Sequence, residues 1–414
     1  MKNLLVLLGL ISLISCNIVP ESGTSVISTD SEITVGEVMR YFESNASDSA
    51  KLNQYWQELK DEKRIPFTHK DTVLFLYKGT ATSVSWQGDF SSWGQNSSIT
   101  TKGTRVGSSD LFYLKHVFPS DARIDYKIVI GSNWILDPNN PNQQWSGFGP
   151  NSALKMPDYE DSPYLVLQSG VKAGSLSANK SISSSFLKYS ISYKVWLPSD
   201  YNPSNAEPYK MLYVTDGHEY ADSKLGALPI VAANLLYEQK IAPIIIVFVS
   251  PLNPSNSNDN RRQSEYVLNE NYSNFLVNEL IPLVESAYHV SGKAEDRGIL
   301  GTSLGGIHSA YLMATQSASF KRIGIHSPAF WYREQIFDLV KNLDQKPKAI
   351  YMTTGTINDT EEKADEMREV FDSKFWDYGY KKVNEGHSWG NWSGTMDEML
   401  IGLYPVINTS IENK

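Results

Sequence analysis

The stretch Arg297-Gly298-Ile299-Leu300-Gly301-Thr302-Ser303-Leu304-Gly305-Gly306 decides how this chain is read. It starts as a short apolar strand, turns through Gly301-Thr302-Ser303-Leu304-Gly305, and enters a helical pattern over 304–318. There Ile307, Ala310, Tyr311 and Ala314 fall on one face. A strand, a Gly-x-Ser-x-Gly turn and an amphipathic helix make a nucleophile elbow. Small residues two before and two after the serine let the backbone pack closely at the turn. The serine oxygen then projects above the sheet, and the next backbone N–H points at the same spot.

Around the elbow, strand-like runs at 189–197, 211–215, 244–249, 323–325, 349–353 and 381–383 alternate with helical patterns at 225–239 and 271–288. Such alternation predicts a mostly parallel sheet covered on both faces. Upstream the period changes. Short apolar runs at 73–76, 82–86, 111–118 and 124–130 are separated by Gly, Asp, Ser and Pro, which predicts a small β-sandwich. Val38, Met39, Phe42, Leu52, Trp56 and Leu59 give 33–62 a helical pattern. Residues 139–150 and 169–185 are rich in Asn, Pro, Gly and Ser, and the second stretch reads as the domain boundary.

The whole chain of 414 residues is 41% hydrophobic and 20% charged, a composition that excludes a disordered or collagen-like protein. A net charge of −9 argues against a nucleic-acid partner, which needs a basic footprint. The single cysteine, Cys16, rules out an intramolecular disulfide framework and a cysteine-based zinc site. It follows Met1-Lys2-Asn3, an apolar run over 4–14, and Ser15. That is a secretory signal too short to span a bilayer. Leu13-Ile14-Ser15-Cys16 resembles a bacterial lipobox, so Cys16 is the expected lipidation site. The organisation expected is a signal peptide over 1–16, a polar tether over 17–32, a helical and sandwich domain over 33–165, and a catalytic domain over 175–414. The lipid is the only expected membrane contact. The protein is expected to be exported and held at the periplasmic face, the outer membrane or the cell surface.

A serine nucleophile needs a base. In the α/β-hydrolase order the acid and then the histidine follow the serine. Only His308, His326 and His387 lie downstream. His308 is expected to pack inside the helix, and His326 precedes any suitable acid. His387, in Glu385-Gly386-His387-Ser388-Trp389 after the last strand, is the expected base. Asp359 is the expected acid, with Glu361, Glu362 or no acid at all as alternatives. The oxyanion needs two donors. Leu304 N–H is one. His218 N–H is the other, in Thr215-Asp216-Gly217-His218-Glu219-Tyr220, where Gly217 is expected to let the turn bend. No His-Glu-x-x-His spacing exists, so no metal is expected.

Residues 186–405 resemble the esterase family that includes enterochelin (ferric-siderophore), feruloyl and acetyl-xylan esterases, esterase D and mycolyltransferases. The enterochelin esterase branch is the most similar. The resemblance rests on Tyr213-Val214-Thr215-Asp216-Gly217, Asn260-Arg261-Arg262 with Glu265-Tyr266, Glu279-Leu280-Ile281-Pro282, the elbow, Ser327-Pro328-Ala329-Phe330-Trp331, and Gly386-His387-Ser388-Trp389. Residues 84–93, with Asp125-Tyr126-Lys127 and 134–138, resemble the early-set, glycan-module-like sandwich that precedes some hydrolase domains. The resemblance implies an α/β-hydrolase fold behind an immunoglobulin-like sandwich, and no cofactor. It implies a serine esterase acting on a siderophore ester. The alternatives are a feruloyl or acetyl esterase on an acylated glycan, or an acyltransferase. Arg261 and Arg262 then either meet an anionic substrate or pair with Glu265. Trp331 and Trp389 are candidates to stack on substrate. Trp86, Trp93 and Trp134 are expected mainly to pack, with a glycan platform as the other reading.

Overall fold

The computed structural model describes residues 33–406; Cys16 and its neighbours lie outside them. Two helices, Val35–Ser44 and Ser49–Asp61, open this region. The first is capped reciprocally. Thr34 Oγ1 accepts from the Glu37 N–H at 3.3 Å, and the Thr34 N–H donates to Glu37 Oε2 at 2.8 Å. The helices bury Val38, Phe42, Leu52, Trp56 and Leu59 against Leu74 and Leu76 of the strand Thr72–Lys78. The opposite face of that strand sends Val73 and Phe75 into a second core with Trp86, Phe112, Tyr126 and Ile128. Burial on both faces explains why 73–76 is a continuous apolar run rather than an alternating one. Each such side chain contributes roughly 1.5–3 kcal/mol.

The second core lies between two antiparallel sheets. One runs Phe67–His69, Thr72–Lys78, Leu111–Val117, Thr104–Arg105. The other runs Val84–Gly88, Arg123–Ile130, Gly149–Lys155, Gln143–Ser146, with Asn133–Ile135 also on Arg123–Ile130. The stretch 139–150, which its composition marks as a loop, instead carries the edge hairpin of this sheet. Its short strand Gln143–Ser146 is polar and half exposed, so no apolar period betrays it.

The larger sheet has nine strands. Its order is Ser175–Leu176, Ser190–Leu197, Ile244–Ser250, Lys210–Val214, Arg297–Thr302, Arg322–His326, Ala349–Gly355, Gly379–Val383, with Lys180–Ser183 also on Ser190–Leu197. Pairing is parallel from Ile244–Ser250 to Gly379–Val383. One face packs on helices that include Leu304–Thr315 and Gln335–Lys341, and the other on Leu228–Tyr237 and Met396–Leu403. This is an α/β-hydrolase-like fold. The expected helix 271–288 is observed as Glu270–Phe275, a π turn Leu276–Leu280, and Ile281–Glu285. Pro282 lacks the N–H that a regular ladder needs, which accounts for the widened turn before it.

Candidate active site

Ser303 sits between the central strand Arg297–Thr302 and the helix Leu304–Thr315, with φ 56° and ψ −113°. A non-glycine residue held there stores about 1–3 kcal/mol and persists only when its surroundings over-determine it. They do so here. The Ser303 N–H donates to His326 O at 2.9 Å, and the Ser303 carbonyl accepts from Ile307 N (3.1 Å) and Ala329 N (3.0 Å). Gly301 is required by close approach: a Cβ there would fall 2.2 Å from Gly305 O.

His387 lies between the strand Gly379–Val383 and the helix Trp389–Gly394. Its Nε2 is 2.9 Å from Ser303 Oγ, and its Nδ1 is 2.6 Å from Asp359 Oδ1. With the hydrogen on Nδ1 given to Asp359, Nε2 accepts from the serine hydroxyl. The other oxygen of Asp359 accepts from Ser327 Oγ (2.6 Å), the Gly355 N–H (2.5 Å), Thr354 Oγ1 (3.3 Å) and Asn391 Nδ2 (3.3 Å). The Asp359 side chain is fully covered while that of His387 is 36% exposed, so the pair is anchored at its inner end and open at its outer end. The His387 ring stands edge-on to Trp392 at 5.0 Å, and Trp392 Nε1 donates to Ser327 Oγ at 2.9 Å. Glu361 and Glu362 are elsewhere: Glu361 pairs with Lys382, and Glu362 is exposed.

The other two histidines downstream of the serine are buried. His308 stacks among Tyr266 and Tyr272, and His326 Nδ1 lies 3.0 Å from Tyr220 OH. Burial pushes both imidazoles down to about 3, which suits neither to exchange a proton with solvent near neutrality.

Leu304 and His218 each occupy the first turn of a helix, where N–H groups have no intrahelical acceptor. The bend before His218 differs from expectation. Asp216, not Gly217, takes the left-handed conformation, at φ 50°. Gly217 is needed because a Cβ would lie 2.3 Å from the Phe248 carbonyl carbon. Arg262 braces this turn: its Nε donates to both Asp216 carboxylate oxygens (2.8 and 2.9 Å) and its Nη2 to Thr302 O at 2.9 Å. The expected partner, Glu265, is not the one used. Arg261 pairs with Asp259 at 3.1 Å and covers the Tyr189 ring at 4.1 Å. Glu265 instead accepts from Tyr189 OH at 3.1 Å, and burial raises its carboxyl to about 8.

A cavity of about 640 Å³ opens over Ser303 and His387, and the smaller N-terminal unit with the two antiparallel sheets, the small domain, forms much of its wall. Trp389 lines it, with its indole N–H given to Glu219 Oε2 at 3.1 Å. Burial, then the neighbouring Asp216, pushes Glu219 up to about 7. Arg262 reaches the cavity, whereas Arg261 is not part of the lining. Trp331 is not part of it either; it is 60% exposed and packs on Tyr332. In the turn Phe330–Tyr332 it is Phe330 that is buried, which leaves Trp331 on the solvent side. Conversely, Trp93 and Trp134 do not serve only as packing. They stack with centroids 6.3 Å apart and line the cavity beside Phe148, while Trp86 is fully buried as expected. Ser327, Asn391 and Glu219 were not singled out from sequence; Ser327 and Glu219 lie within motifs legible there, whereas nothing marked Asn391.

A sheet with a serine on its central strand-to-helix elbow, and a histidine and an aspartate on the loops beside it, defines an α/β-hydrolase-like protein. The chain belongs to the esterase family whose model, described as "Putative esterase", matches residues 184–403. It is an esterase. An uncharacterized Bacillus subtilis (strain 168) protein, YjcH, is 26% identical over 210 residues, covering 48% of this chain and 85% of that one. Among solved structures, the Shigella flexneri enterobactin esterase aligns with 80% of this chain and 92% of its own at a TM-score of 0.65 and 19% identity. The ferric enterobactin esterase of Salmonella typhimurium aligns with 80% and 93% at 0.66 and 15%. These likenesses show the fold, over a larger share of the chain than the family model matches.

Proposed function

We propose that this protein is a serine carboxylic-ester hydrolase working through Ser303, His387 and Asp359. The observation that carries the reading is the double contact of His387, 2.9 Å to Ser303 Oγ and 2.6 Å to Asp359 Oδ1. Ser303 Oγ attacks the ester carbonyl as its proton passes to His387 Nε2. Asp359 holds Nδ1–H and offsets the charge on the imidazolium. The N–H groups of Leu304 and His218 receive the oxyanion. Collapse breaks the bond to the alcohol, which leaves with the proton from His387. Water, deprotonated by His387, then cleaves the acyl-serine.

The substrate we assign is an ester bearing flat rings, of the enterochelin-like siderophore type. The structural likeness to enterobactin esterases over 80% of this chain supports this. So do Trp93, Trp134 and Phe148 on the cavity wall, whose faces suit aromatic rings. A second reading, feruloyl or acetyl esters of polysaccharide, is favoured by charge. Asp89, Asp125 and Glu219 line the cavity against Lys127 and Arg262, and Arg262 is already paired with Asp216. A polyanionic ferric catecholate would meet little uncommitted positive charge there. The sandwich we read as immunoglobulin-like, of early-set type, on the strength of its two packed antiparallel sheets. Export and lipidation at Cys16 complete the proposal, on the lipobox pattern alone; membrane retention of a Cys16→Ala chain would contradict it.

The test compares the protein with Ser303→Ala on short acyl nitrophenyl esters, methyl ferulate, acetylated xylan and ferric enterobactin. Hydrolysis that vanishes in the variant supports the serine mechanism, and the best substrate selects between the two readings. Acyl transfer to sugar hydroxyls instead of water would make it a transferase. Turnover unchanged by the substitution would overturn the reading.

A further inference from the structure

The loops that carry Asp359 and His387 are held from outside their own domain. Asn358, adjacent to Asp359 and itself at φ 49°, donates from Nδ2 to Asp89 O (2.9 Å) and Phe90 O (2.7 Å) of the small domain. On the other loop, Asn384 accepts the Arg123 N–H at 3.0 Å and donates from Nδ2 to Asp121 Oδ1 at 2.7 Å. The side chain of Arg123 is 3% exposed. It donates to Glu385 Oε2 (3.2 Å), Asp125 Oδ1 (2.9 Å) and Gln144 Oε1 (3.1 Å). Glu385 stands two residues before His387, and its carbonyl accepts the Ile357 N–H at 3.1 Å, which ties the two loops together. Contact is close enough to demand glycine. A Cβ on Gly390 would lie 1.8 Å from Arg123 Nη1, and one on Gly386 2.3 Å from Asp89 Cγ. Burial outweighs the facing guanidinium and leaves the Glu385 carboxyl raised to about 7.

We propose that Arg123, from the small domain, is a positioning residue for the reaction: through Glu385 it fixes the histidine loop, while Asn358 fixes the acid loop in the same way. The small domain thus sets the geometry of Asp359 and His387, besides walling the cavity. This rests on the serine-hydrolase reading above. A buried ion pair that loses one partner leaves the other charge uncompensated, so the loop would move to relieve it. Misplacement of a reacting group by about 1 Å costs up to about 100-fold in rate.

The test measures kcat, KM and thermal unfolding for Arg123→Met, Glu385→Gln, their double variant and Asn358→Gly on 4-nitrophenyl acetate. This substrate is too small to need the aromatic wall. Glycine at 358 keeps the positive φ and removes only the amide contacts. Labelling of Ser303 by a fluorophosphonate reports nucleophile reactivity independently. Expected is a fall in kcat of about 10- to 100-fold for Arg123→Met and Glu385→Gln, with KM within about threefold. Labelling slows in parallel, and the double variant is no worse than the worse single one. Asn358→Gly should lose about threefold to tenfold in kcat. A folded Arg123→Met that keeps kcat and labelling within about threefold of the parent overturns the proposal while leaving the hydrolase reading intact. Should Arg123→Met fail to unfold cooperatively, Asn358→Gly decides, and an unchanged kcat there overturns it. If the parent neither turns over the ester nor labels at Ser303, the underlying reading falls first.

Discussion

The proposed nucleophile and the proposed acid–histidine pair are built in opposite ways. Ser303 is fixed by local backbone: one strand, one helix, a strained φ of 56°, and glycines that allow the two to approach. Its restraints, such as His326 O and Ala329 N, come from the neighbouring strand and the loop after it. Asp359 and His387 sit on loops instead. Each loop is pinned from within by side chains such as Ser327 and Asn391, and from outside by the small domain. A local device leaves a motif in the sequence. A cross-domain device leaves scattered residues more than 260 positions apart, as with Arg123 and Glu385.

Four substitutions sharpen that contrast. The largest effect is expected at His387. His387→Ala should lower kcat/KM by at least about 10⁴-fold without lowering the melting temperature, because its ring is partly exposed. Circular dichroism beside the kinetics would separate the two. Asp359→Asn should cost about 10²–10⁴-fold in kcat, since the neutral amide does not offset the imidazolium charge and, with its NH2 turned to Nδ1, favours the wrong tautomer. A loss below tenfold would mean that the acid is dispensable. Gly301→Ala tests the elbow's packing. With a Cβ 2.2 Å from Gly305 O, it should destabilise by about 1–3 kcal/mol in urea titration, and wild-type stability would show that the turn yields freely.

The smallest effect separates two buried glutamates, one in each region. Glu385 faces Arg123, but Glu265, behind the nucleophile helix, accepts only from Tyr189. Burial raises Glu265 from 4.5 to about 8. Its protonated form is therefore favoured in the folded state. Its contribution to stability is full below about pH 4.5 and is lost as pH rises through about 8. Glu265→Gln should flatten that decline, with chemical denaturation at pH 5 and pH 8.5 as the measurement. An equal slope in both proteins would show that Glu265 is ionised at neutral pH.

How much was legible follows from the same contrast. The alternation of strands and helices after residue 186 and the elbow at 301–306 are periodic or contiguous signals, and the strands fall within a few residues of their expected places. Asp359 and His387 stand out by chain order after the serine, and the fold brings them together with Ser303. The partners of Arg261 and Arg262 were not legible. Glu265 is nearer in sequence, yet Asp216, 46 residues away, takes Arg262 because the turn after Lys210–Val214 delivers it beside the elbow. Nor was the shared cavity wall. Trp93 and Trp134 look like core aromatics by composition, and only the seating of one domain on the other exposes their stacked faces to Ser303.

In the proposed mechanism Ser303 carries the acyl group. The most direct test is acid quenching of the protein during turnover of 4-nitrophenyl acetate, followed by mass spectrometry of its peptides. The account predicts an acetyl group on the peptide containing Ser303, slower to clear in Asp359→Asn and absent in Ser303→Ala. Hydrolysis that proceeds at full rate with no acylated Ser303 at any quench time, and with Ser303→Ala equally active, would contradict it.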